Sequence, residues 1–439
     1  MGTKDTPFTD GAYMELMLIL AATLGVCLLI GVPICFAIGV SVFVGLYYGG
    51  IPFSFVAQSS FTALDSFTTM SVPFFILAGS VMETGGLSRR LIGFAQALVG
   101  NITGGFGIVT VLACAFFAAI CGSSPATVAA IGAIMIPAMI GRGYSAPFAA
   151  SLTACSGGLG VVIPPSINMI IYSITANVSV ADMFLSGFIP GIIITLALSF
   201  MAYLLAKKKG YKGSGQPLSL RACLQALHEA KWALLAPVII LGGIYCGLFT
   251  PTESAAIAVV YGMIVGFFVY KELNLRNLVN VLVSASTTTG AVVIILATGM
   301  AFGRLIARYQ IPQLAGDLLI GITDSWVLIL LLIAVLLLIL GCFMETLSIM
   351  IILTPILLPV VTSLGVNPIH FGMIMVLGAE IGMFTPPVGV NLFVASGISG
   401  VSLEKLSWAI LPFIGTMLAL YVLFILVPGI TTFLPSLLR

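Results

Sequence analysis

The chain has 439 residues, 60% of them hydrophobic and only 7% charged, with a mean hydropathy of +1.24. Soluble domains carry about 25% charged residues, so a water-solvated surface is excluded and the chain is a polytopic integral membrane protein. A net charge of +2 with no basic run interleaved with aromatics leaves no case for a nucleic-acid partner.

Runs near the ~20 residues needed to cross a bilayer lie at about 14–31, 33–49, 68–86, 183–206, 232–249, 251–270, 290–308 and 408–428. The first of them lacks a basic n-region and an A-x-A-like cleavage site, so it reads as a retained span and not as a removed signal. Segments at about 52–66 and 273–288 are mixed in polarity and are expected along the membrane surface. Two stretches, about 145–177 and 367–399, are interrupted in the middle by Pro-Pro. Each follows an apolar segment broken at its centre, about 104–140 and 326–362, which is either two full spans or one re-entrant hairpin. The 8 Cys are scattered through apolar segments without a C-x-x-C pair and read as small core residues.

An internal repeat organises these segments. Pro137 and Pro359 stand 222 positions apart (359 − 137), and the same offset pairs Gly143 with Gly365, Gly160 with Gly382, Pro164 with Pro386, Pro165 with Pro387, Pro190 with Pro412, and Ser124 with Thr346. Self-similarity at one fixed offset marks duplication, giving halves at about 14–206 and 232–428 joined by a linker, 207–231. That linker holds Lys207, Lys208, Lys209, Lys212, Arg221 and Lys231 against Glu229 and is expected in the cytoplasm. About five crossings plus a hairpin per half make the second half inverted. Arg89, Arg90 and Arg142 would then lie inside, while their uncharged counterparts Ile311, Pro312 and Leu364 lie outside.

The working site is expected where the apolar segments stop being able to form helix, at Cys121-Gly122-Ser123-Ser124-Pro125 and at Gly160-Val161-Val162-Ile163-Pro164-Pro165. Non-helical backbone at membrane depth survives only inside protein or along a cavity, and in transporters such breaks bind ions and substrates. Free backbone groups and hydroxyls at Gly122, Ser123 and Ser124, opposite the carbonyls of Gly160, Val162 and Pro165, form an oxygen set suited to a hard monovalent cation such as Na⁺. The second half repeats it with Met344, Glu345 and Thr346 opposite Gly382, Phe384 and Pro387. Half-helix N-termini aimed at the midplane favour an anionic substrate group. Arg304 and Arg308 are candidates to hold its carboxylate, with snorkelling as the alternative. Asn168 and Asn391, after the two breaks, are either amide contacts to substrate or helix–helix glue. Glu380, just before the second break, is an intramembrane acid of the kind that marks function. No nucleotide-binding phosphate loop and no hydrolase or metalloprotease motif is present. The reading is therefore ion-gradient transport, not an enzyme.

The stretches Gly122-Ser123-Ser124-Pro125-Ala126-Thr127 with Ile136-Pro137, Gly160-Val161-Val162-Ile163-Pro164-Pro165-Ser166, Pro251-Thr252-Glu253, Met344-Glu345-Thr346 and Gly382-Met383-Phe384-Thr385-Pro386-Pro387-Val388-Gly389-Val390-Asn391 resemble the large membrane subunit of tripartite ATP-independent periplasmic (TRAP) transporters. The resemblance covers nearly the whole chain and implies an all-α, inverted-repeat elevator transporter of the bacterial inner membrane. That fold would have two re-entrant hairpins, two broken helices and about ten full crossings. A transport domain at about 104–180 plus 326–402 would slide against a scaffold of the remaining spans. The resemblance also implies two or more Na⁺ sites, a small four-span membrane subunit, a periplasmic binding protein and an organic-acid cargo of the sialic acid or C4-dicarboxylate class. The family's sodium sites carry over onto Cys121, Ser123, Gly160, Val162, Pro165 and their second-half equivalents, with Cys121 standing where relatives often have Ser. Ser124, Thr127, Asn168, Arg308, Thr385 and Asn391 are then the expected substrate contacts. With no further apolar region at the N-terminus, the small subunit is expected as a separate chain. A stand-alone Na⁺/dicarboxylate symporter is the alternative, and an ion channel a more distant one.

Overall fold

The computed structural model of the chain describes residues 10–211, 213, 219–321, 323 and 325–438. Lys212 of the basic linker lies outside them. Among the described residues every regular element is helical. The first half runs α1 (Asp10–Leu29), α2 (Ile34–Tyr48), α3 (Ser54–Leu64), α4 (Ser71–Thr84), α5 (Leu87–Val99), α6 (Gly105–Cys121), α7 (Ser124–Gly141), α8 (Ala146–Gly157), α9 (Leu159–Val162), α10 (Ile167–Ala176) and α11 (Val180–Lys209). The second runs α12 (Leu220–Tyr245), α13 (Pro251–Ile264, extended by a π-helical turn to Val269), α14 (Leu275–Arg308), α15 (Ile311–Ile320), α16 (Trp326–Gly341), α17 (Thr346–Ser363), α18 (Pro368–Met383), α19 (Val390–Ser399), α20 (Leu403–Leu426) and α21 (Gly429–Leu437).

Local sequence sets many of these limits. Thr250 and Glu253 close a reciprocal capping box around Pro251, with the Glu253 carboxylate accepting from the Thr250 backbone N–H at 2.8 Å, and so start α13. Asn274 caps α14 through the Asn277 N–H at 2.9 Å, and Ser179 caps α11 through Asp182 N–H at 3.2 Å. The 222-residue repeat appears directly in the elements. Helix α7 begins at Ser124 and α17 at Thr346, while α8 begins at Ala146 and α18 at Pro368.

Two expectations change. The stretches expected at 273–288 and 290–308 are joined in one continuous helix of 34 residues, Leu275–Arg308, not a surface segment followed by a span. Thr287 and Thr288 fold their hydroxyls back onto Val283 and Ser284 carbonyls within that helix, and a single Gly290 costs only about 1 kcal/mol in a helix interior. The equivalent stretch of the first half does break, between α3 and α4. The crossing count also falls below ten when judged by length. Among the described residues 7 helices are long and apolar enough to cross a bilayer, or 8 when 146–162 and 167–176 count as one span bent by 43°. Helices α2, α6, α16 and α18 have 15, 17, 16 and 16 residues. At 1.5 Å per residue that is roughly 22–26 Å, short of the ~30 Å hydrocarbon layer.

Burial separates a centre from a rim. Helices α8, α9 and α18 are buried nearly all round, whereas α2, α11, α12, α14, α16 and α20 each present a face of exposed large apolar residues, such as Phe36, Phe43, Phe200, Val238, Leu332 and Trp408. A chain solvated by lipid has no need to hide such faces. The two halves exchange partners at the centre. The second arm α7 packs against α19 of the other half, and its counterpart α17 packs against α10. Across the rim, Arg90 of α5 pairs with Glu272, bonds the Gly86 carbonyl at 2.9 Å and stacks 4.2 Å over the Tyr270 ring, whose hydroxyl reaches the Glu229 carbonyl of α12 at 3.1 Å. An Arg90→Ala variant is expected to lose about 1–2 kcal/mol of stability, read as a lower melting temperature in detergent. Arg90→Lys should recover only part of it, because ammonium neither stacks nor forks.

Candidate functional site

The turn between α6 and α7, the first tip, follows from three residues. Gly122 takes φ +67°, a left-handed conformation open to glycine, and ends α6; Ser123 is extended; Ser124 with Pro125 starts α7. The tip seats on the break between α9 and α10. The Gly122 carbonyl accepts from the Ile167 N–H at 3.2 Å, and Ser166 caps α10 through the Met169 N–H. A Cβ on Gly160 would stand 2.5 Å from the Ser123 carbonyl oxygen and 2.6 Å from Thr127 Oγ1, so only glycine permits this approach. Thr127 Oγ1 itself donates to the Ser123 carbonyl at 2.7 Å.

The second tip is built alike. Residues 342–345 join α16 to α17, and the Cys342 carbonyl accepts from the Gly389 N–H at 3.2 Å, the residue at the repeat position of Ile167. Gly341 lies against Gly382, and a Cβ on Gly341 would stand 2.5 Å from the Ala379 carbonyl oxygen. The first break is buried, while the second is partly open, with Pro387 exposed.

Both tips and both breaks meet at one narrow cavity of about 70 Å³. Gly122, Ser123, Ser124, Asn168, Glu345 and Thr346 line it together with Glu380 and Met383; Ile76 of α4 and Thr288 and Val292 of α14 close the opposite wall. Among the described residues no Lys, Arg or His lines it. Within the lining, Glu380 Oε1 accepts from Ser124 Oγ at 2.6 Å, and Asn391 behind it donates from Nδ2 to Glu380 Oε1 at 3.1 Å and to Ser124 Oγ at 2.6 Å. All three side chains are fully buried.

Other expected residues sit off the cavity. Thr127, Gly160 and Pro165 form the first tip–break contact, and Val162 is buried with its carbonyl against Gly187. Cys121 and Phe384 are buried, Gly382 holds the second contact, and Met344 and Pro387 border it without lining the cavity. Thr385 turns its hydroxyl back onto the Ile381 carbonyl at 2.6 Å. Asn391 bonds protein partners, and Arg304 and Arg308 are exposed near the end of α14, away from the cavity. The tie between Glu380 and Ser124 escaped sequence reasoning. Its available signal was the repeat, which sets Glu380 opposite Gly158; a Cβ there would stand 3.1 Å from Glu380 Oε1.

The chain matches the family described as "Tripartite ATP-independent periplasmic transporter, DctM component" over residues 21–430. It belongs to that family. This permease is 44% identical over 97% of its length to the isethionate TRAP transporter permease protein DctMQ of Oleidesulfovibrio alaskensis, covering 67% of that protein. It is 41% identical to the C4-dicarboxylate TRAP transporter large permease protein DctM of Rhodobacter capsulatus, covering 96% of this chain and 99% of that one. With the sialic acid TRAP transporter large permease protein SiaM of Vibrio cholerae the identity is 37%, covering 93% and 95%. The YdaH transporter of Alcanivorax borkumensis shares the fold, with a TM-score of 0.65 at 16% identity over 88% of this chain and 89% of that one.

For this permease, Gly160→Ala is expected to lift the first tip off its break. Hydrogen exchange across residues 121–127 and at the Ile167 amide should quicken at least about tenfold. Unchanged exchange there would refute the contact.

Proposed function

We propose that this permease carries a small organic anion across the bacterial inner membrane, coupled to Na⁺ and supplied by a periplasmic binding protein, in complex with a small membrane subunit. The observation that carries the reading is the single cavity at which both tips and both breaks converge. Its composition supports cation coupling. With two carboxylates, Glu345 and Glu380, and no basic side chain among its described lining residues, an anion entering it needs bound cations to offset the repulsion. The Na⁺ sets proposed are Cys121, Ser123, Gly160, Val162 and Pro165 in the first half, and Met344, Glu345, Thr346, Gly382, Phe384 and Pro387 in the second. Ser124 and Asn168 are proposed to meet the substrate from the lining, with the N-termini of α7 and α17 contributing their dipoles. The substrate class proposed is a small organic acid of the kind named for its relatives, isethionate, a C4-dicarboxylate or a sialic acid.

An elevator movement is the mechanism proposed. The cavity has one wall from α4 and α14 and the rest from tips and breaks, so sliding of the second group past the first would carry the site between the two sides of the membrane. Inversion of the halves supports one approach from each side.

Uptake of radiolabelled isethionate, succinate and sialic acid into proteoliposomes under an inward Na⁺ gradient tests the reading. The permease alone, with its small subunit, and with the binding protein added should transport only in the full mixture. Uptake by the chain alone would favour a stand-alone symporter. Ser123→Ala is expected to lower Na⁺-dependent uptake at least about tenfold, an outcome of removing one ligand interaction worth about 1.4 kcal/mol or more. Arg308→Gln, outside the cavity, should leave uptake within about twofold, since a snorkelling cation serves only the interface.

A further inference from the structure

A cavity of about 310 Å³ opens between α5 and α12, on the side where the basic linker leads into α12. Arg89, Arg90, Gly93 and Phe94 of α5 line it with Ala226 and Glu229 of α12. Its depth follows from the length of α12. Glu229 stands 16 residues (245 − 229) before the end of that helix at Tyr245. That is about 24 Å of helix against a hydrocarbon layer of about 30 Å, so Glu229 lies near the layer's edge. Aromatic residues gather at the same level, as they do where a membrane meets water. The Tyr270 hydroxyl donates to the Glu229 carbonyl at 3.1 Å, and the Tyr261 hydroxyl donates to the Trp232 carbonyl at 2.6 Å. The Lys231 ammonium lies 5.6 Å from the centre of the Trp232 ring.

Two opposite charges line this cavity without pairing. Arg90 is engaged by Glu272, the Gly86 carbonyl and the Tyr270 ring. Arg89 has no hydrogen-bond or ion-pair partner among the described residues. The Glu229 carboxylate has only the Gln225 amide, which donates to Oε1 at 3.2 Å and leaves Oε2 open. A Cβ on Gly93, one turn along α5 from Arg89, would meet nothing within 4 Å, so the space beside the guanidinium is clear. Guanidinium matches a phosphate bidentately, and a carboxylate accepts charge-assisted hydrogen bonds from an ammonium. A purely anionic group would satisfy Arg89 and face the Glu229 charge; a zwitterion satisfies both. We propose that this cavity binds the headgroup of phosphatidylethanolamine from the adjoining leaflet, with its phosphate on Arg89 and its ammonium on Glu229. Trp232, on the next turn of the same helix and 37% exposed, offers its ring to the acyl chain. Helix α5 joins α4, on the wall of the tip cavity, to α6, which ends in the first tip. A headgroup seated between α5 and α12 therefore braces that connection.

The purified, delipidated permease, alone and with its small subunit, is titrated in detergent with short-chain phosphatidylethanolamine, phosphatidylglycerol or phosphatidylcholine, and bound lipid is counted by native mass spectrometry. Phosphatidylethanolamine is expected to bind at least about tenfold more weakly to Arg89→Gln, Glu229→Gln and Gly93→Leu than to wild type. Phosphatidylglycerol, which has no ammonium, should lose affinity for Arg89→Gln and Gly93→Leu but not for Glu229→Gln. Phosphatidylcholine, whose ammonium has no N–H to donate, should bind wild type no better than it binds Glu229→Gln. All three positions are exposed, and leucine is a better helix former than glycine, so the variants should melt with wild type when lipid is absent. Equal phosphatidylethanolamine affinity in wild type and all three variants overturns the proposal. Wild-type protein that binds phosphatidylglycerol as tightly as phosphatidylethanolamine overturns it too. Competition by free phosphoethanolamine at equal concentration would make the ligand a soluble one, and loss of the lipid on adding the small subunit would make the cavity a protein interface; either result overturns the lipid assignment. No uptake enters these measurements, so their failure is distinct from failure of the transport reading.

Discussion

Backbone that leaves a helix inside an apolar protein must find its partners there, and in this permease each tip finds them in a break. The Gly122 carbonyl takes the Ile167 N–H, and the Cys342 carbonyl takes the Gly389 N–H, so two interruptions that would each be costly alone satisfy one another. The contact depends on small residues. Gly160 lies under the Ser123 carbonyl and Gly341 against Gly382, at distances that leave no room for a methyl group. Helix α10 is then free to leave α8 and α9 at 43°, which opens space beside the tips instead of filling it with helix.

Exchange of partners between halves turns two such contacts into one site. Because α7 packs on α19 and α17 on α10, the cavity at the tips takes its walls from both halves. Ser124 from the first half lies 2.6 Å from Glu380 of the second, and Asn391 bonds both. A buried network of this kind specifies how the halves meet, since any shift strands several polar atoms at once.

The fold was legible to the extent that duplication leaves marks in glycine and proline. The 222-residue offset recurs in the starts of α7 and α17 and of α8 and α18, and the break motifs fall at the junctions of α6 with α7 and of α9 with α10, because both depend on residue types that backbone geometry restricts. Helix continuity was less legible. Thr287, Thr288 and Gly290 look like a break in composition, yet the threonine hydroxyls bond back along α14 and the helix continues. For the site, Ser123, Ser124, Asn168, Glu345 and Thr346 were marked from local pattern and line the cavity, whereas Arg308 was marked on charge alone and lies elsewhere. Glu380 was visible as an acid in an apolar run, but its partner in the other half, 256 residues away, is a fact of packing that no local pattern encodes.

The length of α14 brings the lipid into the account. Its 34 residues make about 51 Å of helix, against about 30 Å of hydrocarbon. A strut of that length either leans steeply or projects beyond the acyl layer, and both postures respond to bilayer thickness. Thr288 and Val292, on the cavity wall, belong to this same strut. The thickness of the host bilayer thus bears on the cavity through α14, alongside the packing of α2, α3, α4 and α17 that holds this helix in place.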